Sequence, residues 1–218
     1  MVKKFNEEAN RALDEVIEAR RSIRAFAGEA PPKMAVEQLL KAGSLAPYAG
    51  LALAGRADFR RFFVFERGTP ARHEAARLVQ LRARKALEKM LQARGGAPDE
   101  RDRDYAYLGR LKMLAENGHP SLATAPYYIV VAEYQGFPPS GLQSLAHVLQ
   151  NMWLKATALG LAFQLISVTG AMAEDEAFAR LLGLPFGAYV MDGCAVGIPD
   201  ADPPRAPRPD MSSAIKWL

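Results

Sequence analysis

Apolar residues recur along the chain with two periods, and the switches between them mark out its elements. Residues 5–20 place Phe5, Ala9, Leu13, Val16 and Ile17 on one helical face with acids and Asn opposite. Residues 34–46 repeat the device through Val36, Leu39, Leu40 and Gly43, and Pro47 closes that helix. The runs RFFVF (61–65) and YYIVVA (127–132) are short, aromatic and β-branched, so they read as buried strands. Between them the spacing predicts helices over 71–94 and 105–117, stopped by Gly95-Gly96 and by Gly118 and joined by the turn-rich linker GGAPDERDRD. The widest stripe, Leu142, Leu145, Leu149, Met152, Trp153, Ala156 and Leu159, predicts a central helix over 141–160 with Trp153 in the core. A strand over 162–168, a short helix over 174–182 ended by Gly183 and Pro185, a last strand over 188–196 and a proline-rich extended tail from about 199 complete the chain. Four buried strands interleaved with helices argue one layered αβα domain over 1–218.

Composition narrows what such a domain can do. With 218 residues, 50% hydrophobic and 24% charged, the chain can hide roughly 70% of its unfolded surface, which excludes disorder and a disulfide miniprotein. Residues 82–112 hold nine Lys/Arg against five Asp/Glu, an excess equal to the net charge of +4. That local excess suits a single phosphorylated ligand as well as a polyanion, and the interleaved acids and few aromatics of 82–104 argue against nucleic acid. Cys194, the lone cysteine, sits in the apolar run YVMDGCAVG as a buried inert thiol, which fits a reducing cytoplasm. The first twelve residues are too charged for a signal peptide, and no apolar run approaches the ~20 residues of a membrane span, so the chain reads as soluble. His73, His119 and His147 are too scattered for a metal site. No GxGxxG, GxxxxGK[ST] or GxSxG motif occurs.

One segment stands out. Arg20-Arg21-Ser22-Ile23-Arg24 sets three guanidinium groups and a hydroxyl within five residues at the end of the first helix. Arginine's fork matches phosphate oxygens bidentately. The same charges would also complement the dipole at a helix C-terminus.

The ordered set RRSIRAF, a helix ending in Ala46-Pro47, a strand, APYYIVVAEY, LQNMWLKATALGL, LLGLP and AVGIPDADPPRAPRP resembles the FMN-dependent nitroreductase family over nearly the whole chain. The resemblance implies an α+β fold, three-layer αβα with a mixed, mainly antiparallel sheet of four to five strands. It implies a homodimer with flavin at the subunit interface, taking hydride from NAD(P)H onto FMN and passing it to a nitroaromatic, quinone or related acceptor, with no catalytic side chain. By the same resemblance Arg20 and Ser22 contact the FMN phosphate, Arg21 the ribityl chain, and Arg24 the pyrimidine edge of the ring. The C-terminal phosphate contact falls on Arg205 or Arg208. Ser167, Val168, Thr169 and Gly170 fall where relatives present backbone groups to the flavin N5 side, and Thr169-Gly170 also reads as an ordinary turn. The helical insertion at about 67–120 falls where relatives cover the flavin, which would make it a basic lid.

The chain departs from the family after Ala46-Pro47. Tyr48 stands for the usual Ser, Leu51 falls near the usual Asn, and no Trp follows. Pro47, Tyr48 and Ala49 remain candidates for flavin contact through backbone or ring, and Tyr48 reads equally as a packing aromatic. The altered segment also admits specialised flavin chemistry, such as dehalogenation or flavin fragmentation, or a flavin-binding module without turnover.

Overall fold

The computed structural model describes the chain except residues 1–5, 49–52, 54, 57, 95–103 and 203–209. Four strands, β1 (Arg60–Glu66), β2 (Tyr127–Tyr134), β3 (Ala162–Leu165) and β4 (Tyr189–Gly197), form one sheet in the order β1-β2-β4-β3, each neighbouring pair antiparallel. The alternation of a pleated strand sends Tyr128, Val130 and Ala132 of β2 to one face and Tyr127, Ile129 and Val131 to the other, and all six are buried. Both faces of the sheet must therefore be covered. On the first lie Ala75, Leu78 and Val79 of α3 (Pro70–Arg94), Met172 of a 3-10 segment (Ser167–Glu174) and Phe178 of α7 (Glu176–Leu181). On the second lie Val36 and Leu39 of α2 (Lys33–Ser44) with Leu145, Val148 and Met152 of α6 (Gly141–Ala158). The expected α+β, three-layer αβα architecture is what forms, with an all-antiparallel sheet among the described residues.

Two glycines mark where the layers press together. At Gly43 an added Cβ would lie 2.9 Å from Met152 Cγ and 3.1 Å from a Phe62 ring carbon, so the bare backbone of α2 leaves room for the Met152 and Phe62 side chains. At Gly193 a Cβ would lie 2.8 Å from Thr169 Oγ1 and 3.0 Å from the Ile129 carbonyl oxygen. Gly193 thus lets the 3-10 segment rest directly on β4.

Three elements depart from the sequence expectation. The strand foreseen over 162–168 ends at Leu165, because Ile166 makes the last rung (N to Gly193 O, 2.8 Å) and the chain then winds into the 3-10 segment, with Thr169 N donating to Ile166 O at 2.8 Å. A five-residue helix, α5 (Pro120–Thr124), follows α4 (Tyr105–Asn117), with Pro at its start and the His119 ring nitrogen capping Ser121 N. The first helix, α1 (Glu7–Ala19), forms behind an Asn6 cap, yet none of its residues is buried, and Leu13 and Ile17 stay 50% and 45% exposed.

Gly193→Ala is expected to destabilise the fold by about 1–3 kcal/mol, since its new methyl meets a backbone carbonyl that cannot rotate away. Chemical denaturation checks it. An unchanged midpoint would mean that the 3-10 segment does not bear on the sheet.

Candidate functional site

The Arg20–Arg24 segment is shaped by what receives it. After α1 ends, Ile23 N donates to Phe163 O of β3 at 3.1 Å, and Ala27 N to Ile198 O at 2.9 Å just beyond β4. These two bonds fix the direction of the segment, with Arg20–Ser22 running toward the end of β3 from which Ser167 follows. Trp153 of α6 holds the segment from below. Its indole stacks on Phe163 (centroids 5.3 Å apart), its Nε1 donates to Arg21 O at 3.0 Å, and the Arg20 guanidinium lies 4.2 Å from its ring centroid. A cation over an indole face gains about 0.5–2 kcal/mol, enough to bias one rotamer.

The three arginines divide their work. Arg21 Nη1 turns back to donate to Glu18 O (2.5 Å) and Arg20 O (2.8 Å), closing the carbonyl end of α1. Its Nε is buried without a hydrogen-bond partner, an orphaned donor of the kind that costs stability unless a ligand meets it. Ser22 and Arg24 are exposed, with Arg24 Nη1 only 3.4 Å from Ser22 O.

Ala46 and Pro47 are placed by a different arginine. Arg60, the first residue of β1, lies opposite Glu133 in the β1–β2 register, and its Nε donates to Glu133 Oε1 at 2.5 Å with both side chains buried. The rest of its guanidinium donates to Gly43 O (3.1 Å), Ser44 O (3.2 Å), Ala46 O (2.8 Å), Pro47 O (3.4 Å) and Ser144 Oγ (3.3 Å). Glu133 Oε2 is left buried without a partner. Tyr48 then behaves as a pin: its hydroxyl donates to Tyr134 O (3.2 Å) and accepts from Gly136 N (3.1 Å), and its ring packs on Phe59 at 4.8 Å. The tyrosine hydroxyl is spent inside the chain. Ala49 and Leu51 lie outside the described residues, as do Arg205, Arg208 and residues 95–103 of the charged linker.

Of the segment after β3, Thr169 is fully buried, and its hydroxyl shares a 2.8 Å hydrogen bond with Tyr128, whose phenol burial pushes well above its ordinary range. Only its backbone could meet a ligand. Ser167 and Val168 instead line a cavity of about 590 Å3 that the insertion closes with Arg82 and Ala83 of α3 and Tyr107, Arg110 and Leu111 of α4. Arg82 is ion-paired with Glu174.

The structure thus brings Arg20–Arg24 and Ser167–Gly170 to one strand and sets the insertion over the second of them. Sequence reasoning missed Arg60, which sits in an aromatic strand beside a second arginine, and read Trp153 as core alone. The one signal for Trp153 is its size and its N–H on an otherwise aliphatic stripe. Among the described residues no group of three or more His, Cys, Asp or Glu could hold a metal, and Cys194 is buried with its thiol pushed up by burial.

The model of the family described as Nitroreductase matches residues 17–198, which span the anchor segment, the sheet and every helix that covers it. The chain belongs to the nitroreductase family. Among solved structures, a nitroreductase with bound FMN from Bacteroides fragilis superposes with a TM-score of 0.70 at 21% identity, covering 98% of this chain and 100% of that one. A nitroreductase with bound FMN from Desulfitobacterium hafniense gives 0.65 at 22% identity, covering 99% and 100%. An iodotyrosine deiodinase bound to FMN and 3-iodo-L-tyrosine gives 0.65 at 20% identity, covering 91% and 95%. No curated protein matches the chain. For this nitroreductase-family chain these likenesses establish the fold.

Arg60→Met is expected to cost about 3–5 kcal/mol, because it leaves Glu133 as an uncompensated buried charge. Arg60→Met with Glu133→Leu should recover only part of that loss, since the α2 carbonyls still lack their donor. Denaturant melts of both variants check it, and full recovery in the double variant would mean that the carbonyl contacts contribute nothing.

Proposed function

We propose that this protein is a homodimeric, cytoplasmic FMN-dependent oxidoreductase of one domain that transfers hydride from NAD(P)H to a nitroaromatic, quinone or related small acceptor. The observation that carries the reading is the Arg20–Arg24 segment tied to β3 through Ile23 N and Phe163 O and seated on Trp153, with an orphaned donor at Arg21 Nε. FMN, when bound, supplies the centre that accepts and donates hydride. The chain supplies the rest. Arg20, stacked on Trp153, and Ser22 would hold the phosphate together with Arg205 or Arg208, and Arg21 Nε would donate to a ribityl oxygen. Arg24 sets positive charge at the pyrimidine edge and stabilises negative charge that develops there. Ser167, Val168, Thr169 and Gly170 offer backbone groups at the opposite edge, while Pro47, Tyr48 and Ala49 approach from the second copy of the chain, Tyr48 through its ring.

Two further observations support the reading. No residue of α1 is buried and Leu13 on its apolar face stays half exposed, as on a surface that a second copy covers. The 590 Å3 cavity, lined by Leu111, Leu114 and Tyr107 together with Arg110, suits an aromatic acceptor that carries negative charge. No helix among the described residues is long and apolar enough to cross a membrane. A second reading, reductive dehalogenation of a phenol, is favoured by the likeness to the deiodinase and by a Tyr48 hydroxyl committed within the chain.

FMN is expected to bind saturably, and anaerobic NAD(P)H to bleach it. Arg20→Ala should weaken FMN at least tenfold, as loss of a charge-assisted hydrogen bond of about 1.5–3 kcal/mol implies, and Trp153→Leu should reproduce most of that loss. Arg24→Ala should leave affinity nearly intact and lower the midpoint potential. Absent FMN binding would overturn the reading. A bound flavin that resists NAD(P)H would leave a binding module, and iodide release from an iodophenol without nitro reduction would select the second reading.

A further inference from the structure

On the first face of the sheet, away from α6, a cleft of about 410 Å3 opens between the start of α3 and the turn that joins α4 to α5. Arg67, Arg72, His73, Arg77, Gln80 and His119 are among its walls, and no carboxylate side chain lines it. Arg72 is the unusual member. It is 1% exposed and has no carboxylate in salt-bridge range among the described residues. Among the described residues its guanidinium donates only to carbonyls: Leu122 O (2.8 Å), Ser121 O (3.1 Å), Ala125 O (3.3 Å) and Phe65 O (3.5 Å). Carbonyl dipoles satisfy its N–H groups without cancelling its charge, so a buried positive field faces the cleft. Burial, then the neighbouring Arg67, lowers the Arg72 guanidinium to about 10, and it stays charged at neutral pH.

His119 supplies the second observation. Its Nδ1 accepts from Ser121 N at 3.2 Å, so in the neutral ring the proton sits on Nε2, for which the described residues provide no acceptor. Burial, Arg110 and Arg72 push the imidazolium down to about 4, which makes His119 a neutral donor at physiological pH. Arg77 faces the cleft held bidentately by Glu74 (2.7 and 2.8 Å), an exposed pair that an incoming anion can reopen at little cost. Arg67 is fixed by donating to Thr124 O (3.0 Å) and Gly28 O.

We infer that this cleft is a second ligand site, separate from the Arg20–Arg24 segment, for a small multivalent anion of the phosphate-ester type. Arg77 and His73 at the rim and His119 Nε2 at the wall supply the donors, and Arg72 and Arg67 supply charge from behind. Phosphate is the class that suits guanidinium and imidazole donors offered from α3 and from the turn before α5, because its tetrahedral oxygens accept from all sides.

The chain has three histidines, two in this cleft and one, His147, on α6. Their ring resonances make a direct test, with pyrophosphate as the probe and FMN present in excess. The His73 and His119 signals are expected to move along one saturable curve while His147 stays still. His73→Ala and Arg77→Ala, both exposed positions, should each weaken binding about tenfold or more. No saturable shift, or movement of His147 with the others, would overturn the inference. So would binding that survives Arg77→Ala and is lost in Arg20→Ala, which would place the anion at the other segment.

Discussion

The last carbonyls of a helix have no partner within the helix, and out of water each needs a donor from elsewhere. Here that need is met repeatedly by arginine. Arg21 closes α1, Arg60 closes α2 from the edge strand, Arg84 Nε reaches Ala115 O near the end of α4 at 2.7 Å, and Arg72 closes α5. A guanidinium suits the task because its five donors lie in one plane and its charge complements the negative end of the helix. Arg60 matters most. It binds the end of α2, its register partner on β2 and Ser144 on α6, so the two helices on that face cannot shift along the sheet without stranding a buried charge.

The candidate site inherits this rigidity at both borders. Arg60 sets the carbonyls of Ala46 and Pro47, from which Tyr48 is pinned to the end of β2. Trp153 and Phe163 give the Arg20–Arg24 segment a floor, and β3 gives it a direction. On the first face the 3-10 segment is pressed on β4 through Gly193 and locked by Thr169 to Tyr128, which leaves Ser167 and Val168 to line the cavity. Ligand groups would meet side chains and backbone that are already held, a condition for affinity that buried area alone does not provide.

How much of this was legible in the sequence follows from which interactions are local. Helix and strand periods are local, so the order of elements and the αβα layering could be read, and the ordered motifs identified the family. The helix-closing arginines were not legible, because Arg60 acts from a strand and Arg72 and Arg84 act from α3 on other helices, whereas a sequence places basic residues only in the last turn of the helix that carries them. The end of β3 was misread for a similar reason. Val168 is β-branched and follows Ile166 in an apolar run, and the contacts that turn the chain there, Ile166 to Gly193 and Thr169 to Tyr128, lie outside the segment itself. Tyr48 was left open between packing and ligand contact, a choice decided for its hydroxyl by the carbonyl of Tyr134, 86 residues away.

Hydrogen exchange with and without FMN tests most directly whether the segments around 20–24, 46–48 and 167–170 form one flavin site. FMN is expected to slow exchange in all three together, over the same concentration range, while 67–80 and 118–123 exchange unchanged. Protection confined to one segment, or appearing only around the cleft of Arg72 and His119, would contradict it.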